Sequence, residues 1–398
     1  MGGGPGRVVI VSAGVGAGHH GFTAELARRL DKRGFAVDAL DFMELLPGPS
    51  GAASVRLYNR TLHHAPWVYA GLFQVGTWSA TAAVTRTLLG AARGRLLSML
   101  RPDTRAVVST YSLASQLLGP LRRSGRLRVP AATYVTDFAV HRHWVAPGVD
   151  ALLAPHPVGA VQARMLGAAA ESAIAAGALV APGFRAPSGS EPQDARATFG
   201  LPPGRLALVC AGSWGVGDVE QAALEIQAAG VATPVVVCGR NARLAVRLAR
   251  AGVPALGWVE DMPLLMRAVD VLVQNAGGLM ALEGMATGLP VATYRPIPGH
   301  GTRAAATLEQ AGVSTWIRSP GALGPTLMSL VSGELGARQR AAAAPMLRAD
   351  PAELVAHLAT PPRTNGAPVS PRWAHARDWR SIDVAKSRIG GFFGGDAP

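Results

Sequence analysis

At 398 residues the chain is too long for one comfortable core and fits two domains of roughly 150 to 200 residues. Its two cysteines exclude a disulfide framework and fit a reducing compartment, and no stretch nears the ~20 uninterrupted apolar residues of a membrane-spanning helix. The net charge of +13 is carried almost wholly by arginine and attracts acidic ligands or an anionic membrane face; without zinc-finger spacing, an aromatic RNA-binding signature or a compact basic helix, nucleic acid is not the expected partner.

The start has no basic segment ahead of its five-residue apolar run, so no secretion signal is expected. That run, Arg7-Val8-Val9-Ile10-Val11, is β-branched and unbroken, as a strand buried on both faces of a parallel sheet must be. It enters a Gly-rich turn, Ala13-Gly14-Val15-Gly16-Ala17-Gly18-His19. A helix is predicted over 21–32, with Phe22, Leu26 and Leu30 on one face, and a strand over 35–40. Residues 55–100 hold Leu57, Tyr58, Trp67, Tyr69, Leu72, Phe73 and Trp78 among few charges. They read either as a buried helical hairpin or as an amphipathic lobe facing an acceptor or membrane, with Arg56, Arg60, Arg86, Arg93 and Arg95 nearby. Strand patterns return at 105–109 and 131–135, and the run at 150–154 is expected to close the first sheet.

From Pro182 to Pro203 the composition turns to Pro, Ser, Gly and Gln, the mark of a linker. A second apolar run, Leu206-Ala207-Leu208-Val209-Cys210, then leads into a second Gly-rich turn, Ala211-Gly212-Ser213-Trp214-Gly215-Val216-Gly217. Two such units at equivalent places point to two Rossmann-like, doubly wound α/β domains facing a central cleft. Helix and strand patterns alternate over 218–229, 234–238, 242–250, 264–268, 271–274, 281–286 and 291–293, which demands parallel strands with right-handed crossovers. The expected organisation is a first domain over 1–182, a linker over 183–203, a second domain over 204–333, returning helices over 334–360 and a mobile basic tail over 361–398. That tail holds Trp373, Trp379, Phe392 and Phe393 among basic residues.

The first Gly turn is no P-loop, since no Gly-Lys-Ser/Thr follows, and His19 stands where a dinucleotide fingerprint needs its third Gly. A hydride-transfer enzyme is thereby demoted. A histidine at a helix start has its pKa lowered by the positive helix end, so a neutral imidazole can serve as a base. His19 is the leading candidate and His20 its rival; a capping or solvated histidine is the structural alternative. Asp137 follows a buried strand, with His141, His143 and Trp144 close behind. It can orient a catalytic histidine or bind an acceptor hydroxyl; with His141 or His143 it supplies part of a metal site, but no further ligand cluster appears and no metal is expected. In the second half, Gly277 and Gly278 open a helix carrying Glu283. Helix-end amides there suit a diphosphate and the carboxylate suits ribose hydroxyls, or Glu283 simply stabilises the helix N-terminus.

Taken together, Gly257-Trp258-Val259-Glu260-Asp261-Met262, Gly277-Gly278-Leu279, Glu283, Gly288-Leu289-Pro290 and Pro298-Gly299-His300 resemble the nucleotide-sugar half of the two-domain GT-B glycosyltransferases. The resemblance is to the monogalactosyl- and diglucosyl-diacylglycerol synthases and the related N-acetylglucosaminyltransferase of the lipid-linked peptidoglycan precursor. Gly16-Ala17-Gly18-His19 looks like their Gly-Gly-Gly-His turn, and Val135-Thr136-Asp137-Phe138 with His141 and Trp144 looks like their Thr-Asp-Phe/Leu…His…Trp segment. It implies a metal-independent transfer from a UDP-sugar, with no cofactor beyond that substrate. It implies His19 as base and Glu283 on the ribose, donor phosphates near Ser213, Gly277 and Gly278, and uracil near Trp258 and Val259. Gly16, Gly18, Gly239, Leu279 and His300 fall on the donor side, and Tyr111, His141 and Trp144 on the acceptor side. The chain departs from the family at Asn275-Ala276, where Lys-Pro is usual, and at His300, Gly301 and Ala304, where Gln, Glu and Asn contact the donor. Tyr111-Ser112 replaces the usual His-Pro.

The function expected from this is transfer of a hexose from a UDP-sugar to a lipid, diacylglycerol above all, by a cytoplasmic protein held peripherally on the anionic inner membrane face. Three alternatives stand beside it: a UDP-sugar transferase for a soluble small molecule, a UDP-N-acetylglucosamine epimerase, and a binding protein that has lost catalysis. The sugar, the anomeric outcome and the oligomeric state are not written in the sequence.

Overall fold

The computed structural model describes residues 6–14, 16–64, 78–185, 192–210, 212, 213 and 215–360. In the first half β1 (Arg7–Ser12) is followed by α1 (Ala17–Asp31), β2 (Ala36–Asp41), α2 (Phe42–Leu45), α3 (Ser50–His64), α4 (Trp78–Met99), β3 (Thr104–Ser109), α5 (Ser112–Arg123), β4 (Ala131–Tyr134), β5 (Ala151–Ala154), α6 (Pro157–Met165) and β6 (Ala173–Ala175). After α7 (Pro192–Thr198), the second half runs β7 (Leu206–Cys210), α8 (Val219–Ala229), β8 (Thr233–Val237), α9 (Ala242–Arg250), β9 (Ala255–Leu256), α10 (Met262–Arg267), β10 (Val271–Gln274), α11 (Leu279–Thr287), β11 (Val291–Tyr294), α12 (His300–Gln310) and β12 (Thr315–Ile317). Three helices follow, α13 (Leu323–Ser332), α14 (Glu334–Arg348) and α15 (Pro351–Ala359).

The strands form two six-stranded sheets, in the orders β2-β1-β3-β4-β5-β6 and β12-β11-β10-β7-β8-β9, and every pairing is parallel. In each sheet the chain starts in the middle and winds outward both ways, leaving a crevice beyond the strand C-termini where the direction reverses. The first reversal lies between β1 and β3 and the second between β7 and β10, so each Gly-rich turn opens at a switch point. Val8, Val9, Ile10 and Val11 are all at most 1% exposed, as a sheet covered on both faces requires, and each buried side chain of this kind contributes about 1.5 to 3 kcal/mol.

Several elements differ from the sequence expectation. The first sheet closes on β6 rather than on β5, and β9 and β12 are added to the second; these strands are two or three residues long, too short to show a period. The helix α1 begins at Ala17 rather than at 21, which puts His19 and His20 in its first turn. A helical turn pair, α7, stands inside the stretch read as linker. Residues 55–100 contain parts of α3 and α4; Leu89, Ala92 and Leu96 of α4 lie in the core of the first half, whereas Leu57 is 68% exposed. Trp67, Tyr69, Leu72 and Phe73, the side chains of Tyr58 and Trp78, and the tail over 361–398 lie outside the described residues.

Both sheets belong to one compact unit that ends at Thr360. Their halves touch where small residues allow it: a Cβ on Gly21 of α1 would come within 2.3 Å of Leu279 Cδ2 at the start of α11, and one on Gly16 within 3.8 Å of Ser213 Oγ. Helix α14 starts on the second half, where the Gln339 amide exchanges hydrogen bonds with the Val291 backbone at 2.8 and 3.1 Å. It ends on the first, where Met346 accepts a 3.0 Å bond from Ala178 N–H. Pro351 stops the helix, and Asp350 caps α15 while accepting Arg29 at 3.0 Å and Arg33. Buried Arg29 also reaches the Val180 carbonyl at 3.0 Å and Glu25 at 2.5 Å. Among the described residues no helix is long and apolar enough to cross a membrane.

Candidate active site at the facing switch points

The loops after β1 and β3 lie side by side because their strands pair. This brings His19 Nδ1 to 3.2 Å from the main-chain oxygen of Thr110. A carbonyl only accepts, so Nδ1 carries the hydrogen and Nε2 keeps its lone pair. The Thr136 hydroxyl stands 3.5 Å from the same Nδ1, and the Tyr111 ring meets the imidazole edge-on at 5.6 Å. Burial lowers the His19 pKa below the ordinary 6.5, and His20 adds to this; the charge of Asp137 and the bond to Thr110 oppose it. The sequence expectation of a lowered pKa therefore rests on burial, a different cause from the helix end.

Asp137 sits in the loop after β4. Burial pushes its carboxyl up, but the bond and charge of His141, the charge of His300 and the indole of Trp144 outweigh that and hold it well below the usual carboxylate range. His141 Nε2 lies 3.2 Å and Trp144 Nε1 2.9 Å from the same Oδ2. The carboxylate itself stays 36% exposed. Trp144 is only 1% and His141 9% exposed, so of these residues it is the Asp137 carboxylate that reaches the surface of the cleft. Their role in this geometry is to fix and ionise that carboxylate.

In the second half, Gln274 closes β10 and turns its amide on the loop that follows. Its Oε1 accepts Ala276 N–H at 2.8 Å and Gly277 N–H at 2.5 Å, and its Nε2 donates to Thr293 Oγ1 at 2.6 Å. The Gly277 amide is thus engaged within the loop; the φ of +73° and the Ala304 Cβ, 2.5 Å from where a Gly277 Cβ would stand, explain the glycine. Asn275 takes over as a brace where the resemblance has lysine, its Nδ2 donating to Val216 O of the second Gly turn at 3.0 Å. A Cβ on Gly301 would lie 2.7 Å from the Asn275 carbonyl. The departures at 275, 301 and 304 are therefore, with Gly277, one packing unit, in which α12 presses directly on the loop after β10.

Gly278 ends that loop as the N-cap of α11 and no side chain caps it. Glu283, in the second turn, is half-buried, and burial raises its pKa from 4.5 to about 7. Among the described residues its carboxyl has no hydrogen bond or ion pair. Gly239, with φ +58°, lets the turn after β8 approach the Gly212 and Ser213 carbonyls. Trp258 is 51% exposed and carries the Arg240 guanidinium 5.1 Å from its ring centre, with Val259 half-buried beside it. Leu279 packs on Gly18 and Gly21 across the cleft. His300 opens α12 behind Gly299 at φ +88°; burial lowers its pKa, the Asp137 charge opposes this and His141 adds to it. Among the described residues no three His, Cys, Asp or Glu side chains gather as metal ligands. Sequence reasoning missed Thr110, Gln274 and Arg240; a polar residue ending a buried strand, as Gln274 does, was the available signal.

Two parallel sheets whose switch points face each other, with a first-turn histidine on one side and a glycine-opened helix on the other, define the GT-B architecture of glycosyltransferases. Solved structures of this fold align over nearly the whole chain. MurG of Acinetobacter baumannii is 17% identical with a TM-score of 0.53, over 89% of this chain and 99% of that one. UGT71G1 of Medicago truncatula, complexed with UDP-glucose, is 12% identical with a TM-score of 0.55, over 89% and 98%. Within the fold, residues 24–180 match the family model of monogalactosyldiacylglycerol (MGDG) synthase. The processive diacylglycerol beta-glucosyltransferase of Bacillus subtilis (strain 168) is 27% identical over 251 residues, 61% of this chain and 64% of that protein. The match thus spans less than two thirds of that relative's length.

Proposed function

We propose that the chain transfers a hexose from a UDP-sugar to a lipid hydroxyl, that of diacylglycerol, at the inner face of a membrane. His19 carries the reading: its Nδ1–H is committed to Thr110, which leaves Nε2 to take the proton of the acceptor hydroxyl. As that proton leaves, the oxygen attacks the anomeric carbon, the bond from that carbon to the diphosphate oxygen breaks, and UDP departs with the electron pair. Asp137, ionised and aimed by His141 and Trp144, stabilises the imidazolium as it forms. Departing charge falls toward Ser213, Gly278 and the N-terminus of α11. Glu283 accepts the ribose hydroxyls, and uracil lies by Trp258 and Val259.

The MGDG synthase match over 24–180, which includes Asp137 and begins just after His19, and a relative whose name states diacylglycerol as substrate, support the lipid acceptor. A neighbour solved with UDP-glucose supports the donor class. The basic balance of the chain supports an anionic membrane surface as partner. The test supplies UDP-glucose, UDP-galactose and UDP-N-acetylglucosamine in turn with vesicles of diacylglycerol and anionic lipid. Glycosylated diacylglycerol from one donor, with the protein cosedimenting with the vesicles, is expected. Conversion of the donor without acceptor, or transfer only to soluble alcohols, would contradict the lipid reading.

A further inference from the structure

One side chain ties the two halves together beside the site. Gln162, on α6 of the first half, accepts Val140 N–H at Oε1, 2.9 Å away, and donates from Nε2 to Thr307 Oγ1 on α12 of the second half, 3.0 Å away. The donor direction is fixed, because the Thr307 hydroxyl spends its own hydrogen on the Arg303 carbonyl at 2.9 Å. Thr307 is 4% and Val140 7% exposed, so water does not compete for either bond. Val140 belongs to the loop between Asp137 and His141. Thr307 stands two turns along α12 from His300, on the same helix face, and His300 is the second-half residue whose charge acts on Asp137.

We infer that Gln162 is a positioning residue: with Thr307 it clamps α12 to the loop bearing Asp137, and so seats His300 of the donor half against the carboxylate that serves His19. The role assigned to Asp137 and His19 rests on the proposed transfer; the clamp itself does not. Coupling of this kind is reciprocal, so a break at either end is felt at the other. Replacing Thr307 by Val removes the bond across the cleft together with the hydroxyl's own bond to the Arg303 carbonyl inside α12, and replacing Gln162 by Met removes both bonds of the amide.

Amide hydrogen exchange on the full chain without ligand reads this directly. In Thr307→Val, exchange over 138–144 in the first half is expected to speed up about tenfold, and in Gln162→Met exchange over 300–310 in the second half likewise. Thr307→Ser, which keeps the hydroxyl, restores the wild-type pattern. Changes confined to each variant's own element, as a purely local packing role gives, would overturn the clamp. Where the wild type transfers sugar, Thr307→Val lowers kcat about tenfold and leaves UDP affinity unchanged, and an unchanged kcat would also count against the clamp. Where the wild type transfers no sugar from any donor, the functional reading falls and the exchange data alone decide on the clamp.

Discussion

The Nδ1 atom of His19 faces the carbonyl oxygen of Thr110 at 3.2 Å, and this one contact decides which ring nitrogen holds the proton. It also ties the base to β3, the neighbour of its own strand, so the imidazole is aimed by the sheet register. Burial lowers its pKa, and a base works only when neutral. The acid limb of kcat/KM is therefore expected below pH 6.5, with the rate rising through it to a plateau. His19→Ala is expected to lose roughly 10² to 10⁴ in kcat with UDP affinity intact. A pH profile of kcat/KM for the lipid checks the limb, and kcat at saturating lipid together with a UDP titration of His19→Ala checks the loss.

Asp137 raises the His19 pKa through its charge. In Asp137→Asn that support is gone, so the acid limb moves to lower pH and kcat falls about 10²-fold. The two effects have opposite consequences at pH 5, where the remaining activity is a larger fraction of its own plateau than in the wild type. Profiles of both proteins over pH 4.5 to 8 separate this from simple misfolding, which leaves the limb where it was.

Glu283 carries a folded-state pKa raised from 4.5 to about 7. Between those values the folded state holds more proton than the unfolded one, so stability from this group is present below about pH 4.5 and is lost as pH rises through 7. Glu283→Gln is expected to raise stability by about 2 to 3 kcal/mol at pH 8 and to change it little at pH 4. The same substitution weakens UDP binding roughly 10- to 100-fold, as loss of charge-assisted hydrogen bonds does. Wild-type UDP affinity is expected to increase as pH rises through 7, and the variant's is not. Denaturant unfolding and UDP titration at the two pH values check the sign.

Gly301 leaves no room for a methyl group, since its Cβ would stand 2.7 Å from the Asn275 carbonyl and 3.2 Å from Ile297 Cβ. Neither neighbour is a flexible side-chain end. Gly301→Ala is expected to cost about 1 to 3 kcal/mol and to displace the loop that opens α11, lowering UDP affinity as well. Thermal melts with and without UDP report the two effects, and a variant with wild-type stabilisation by UDP would show that the loop does not serve the donor.

Much of the frame is legible in the sequence, for physical reasons that differ by element. The apolar runs at 7–11 and 206–210 need β-branched residues because both faces are covered, and Gly16 at φ +100° and Gly217 at φ +96° need glycine because the backbone turns left-handed there. The strands β6, β9 and β12 are hidden because two or three residues carry no period. His19 and Asp137 could be named as candidates from the sequence, but their surroundings could not. Thr110 meets His19 across 91 positions, and no local pattern reports that. That Trp144 and His141 are buried with their nitrogens on Asp137 was not legible either, because spacing cannot tell which side of a loop is covered. Gln274 hides as the end of a strand, although its amide shapes the loop that opens α11.

The central claim is that His19 activates a lipid hydroxyl toward a UDP-sugar. UDP release from UDP-glucose, UDP-galactose and UDP-N-acetylglucosamine, with and without diacylglycerol in anionic vesicles, tests it most directly when wild type and His19→Ala are run side by side. One donor is expected whose release is stimulated by diacylglycerol in the wild type and abolished in His19→Ala, with UDP still bound. Release indifferent to the lipid, or equal in the two proteins, would contradict it.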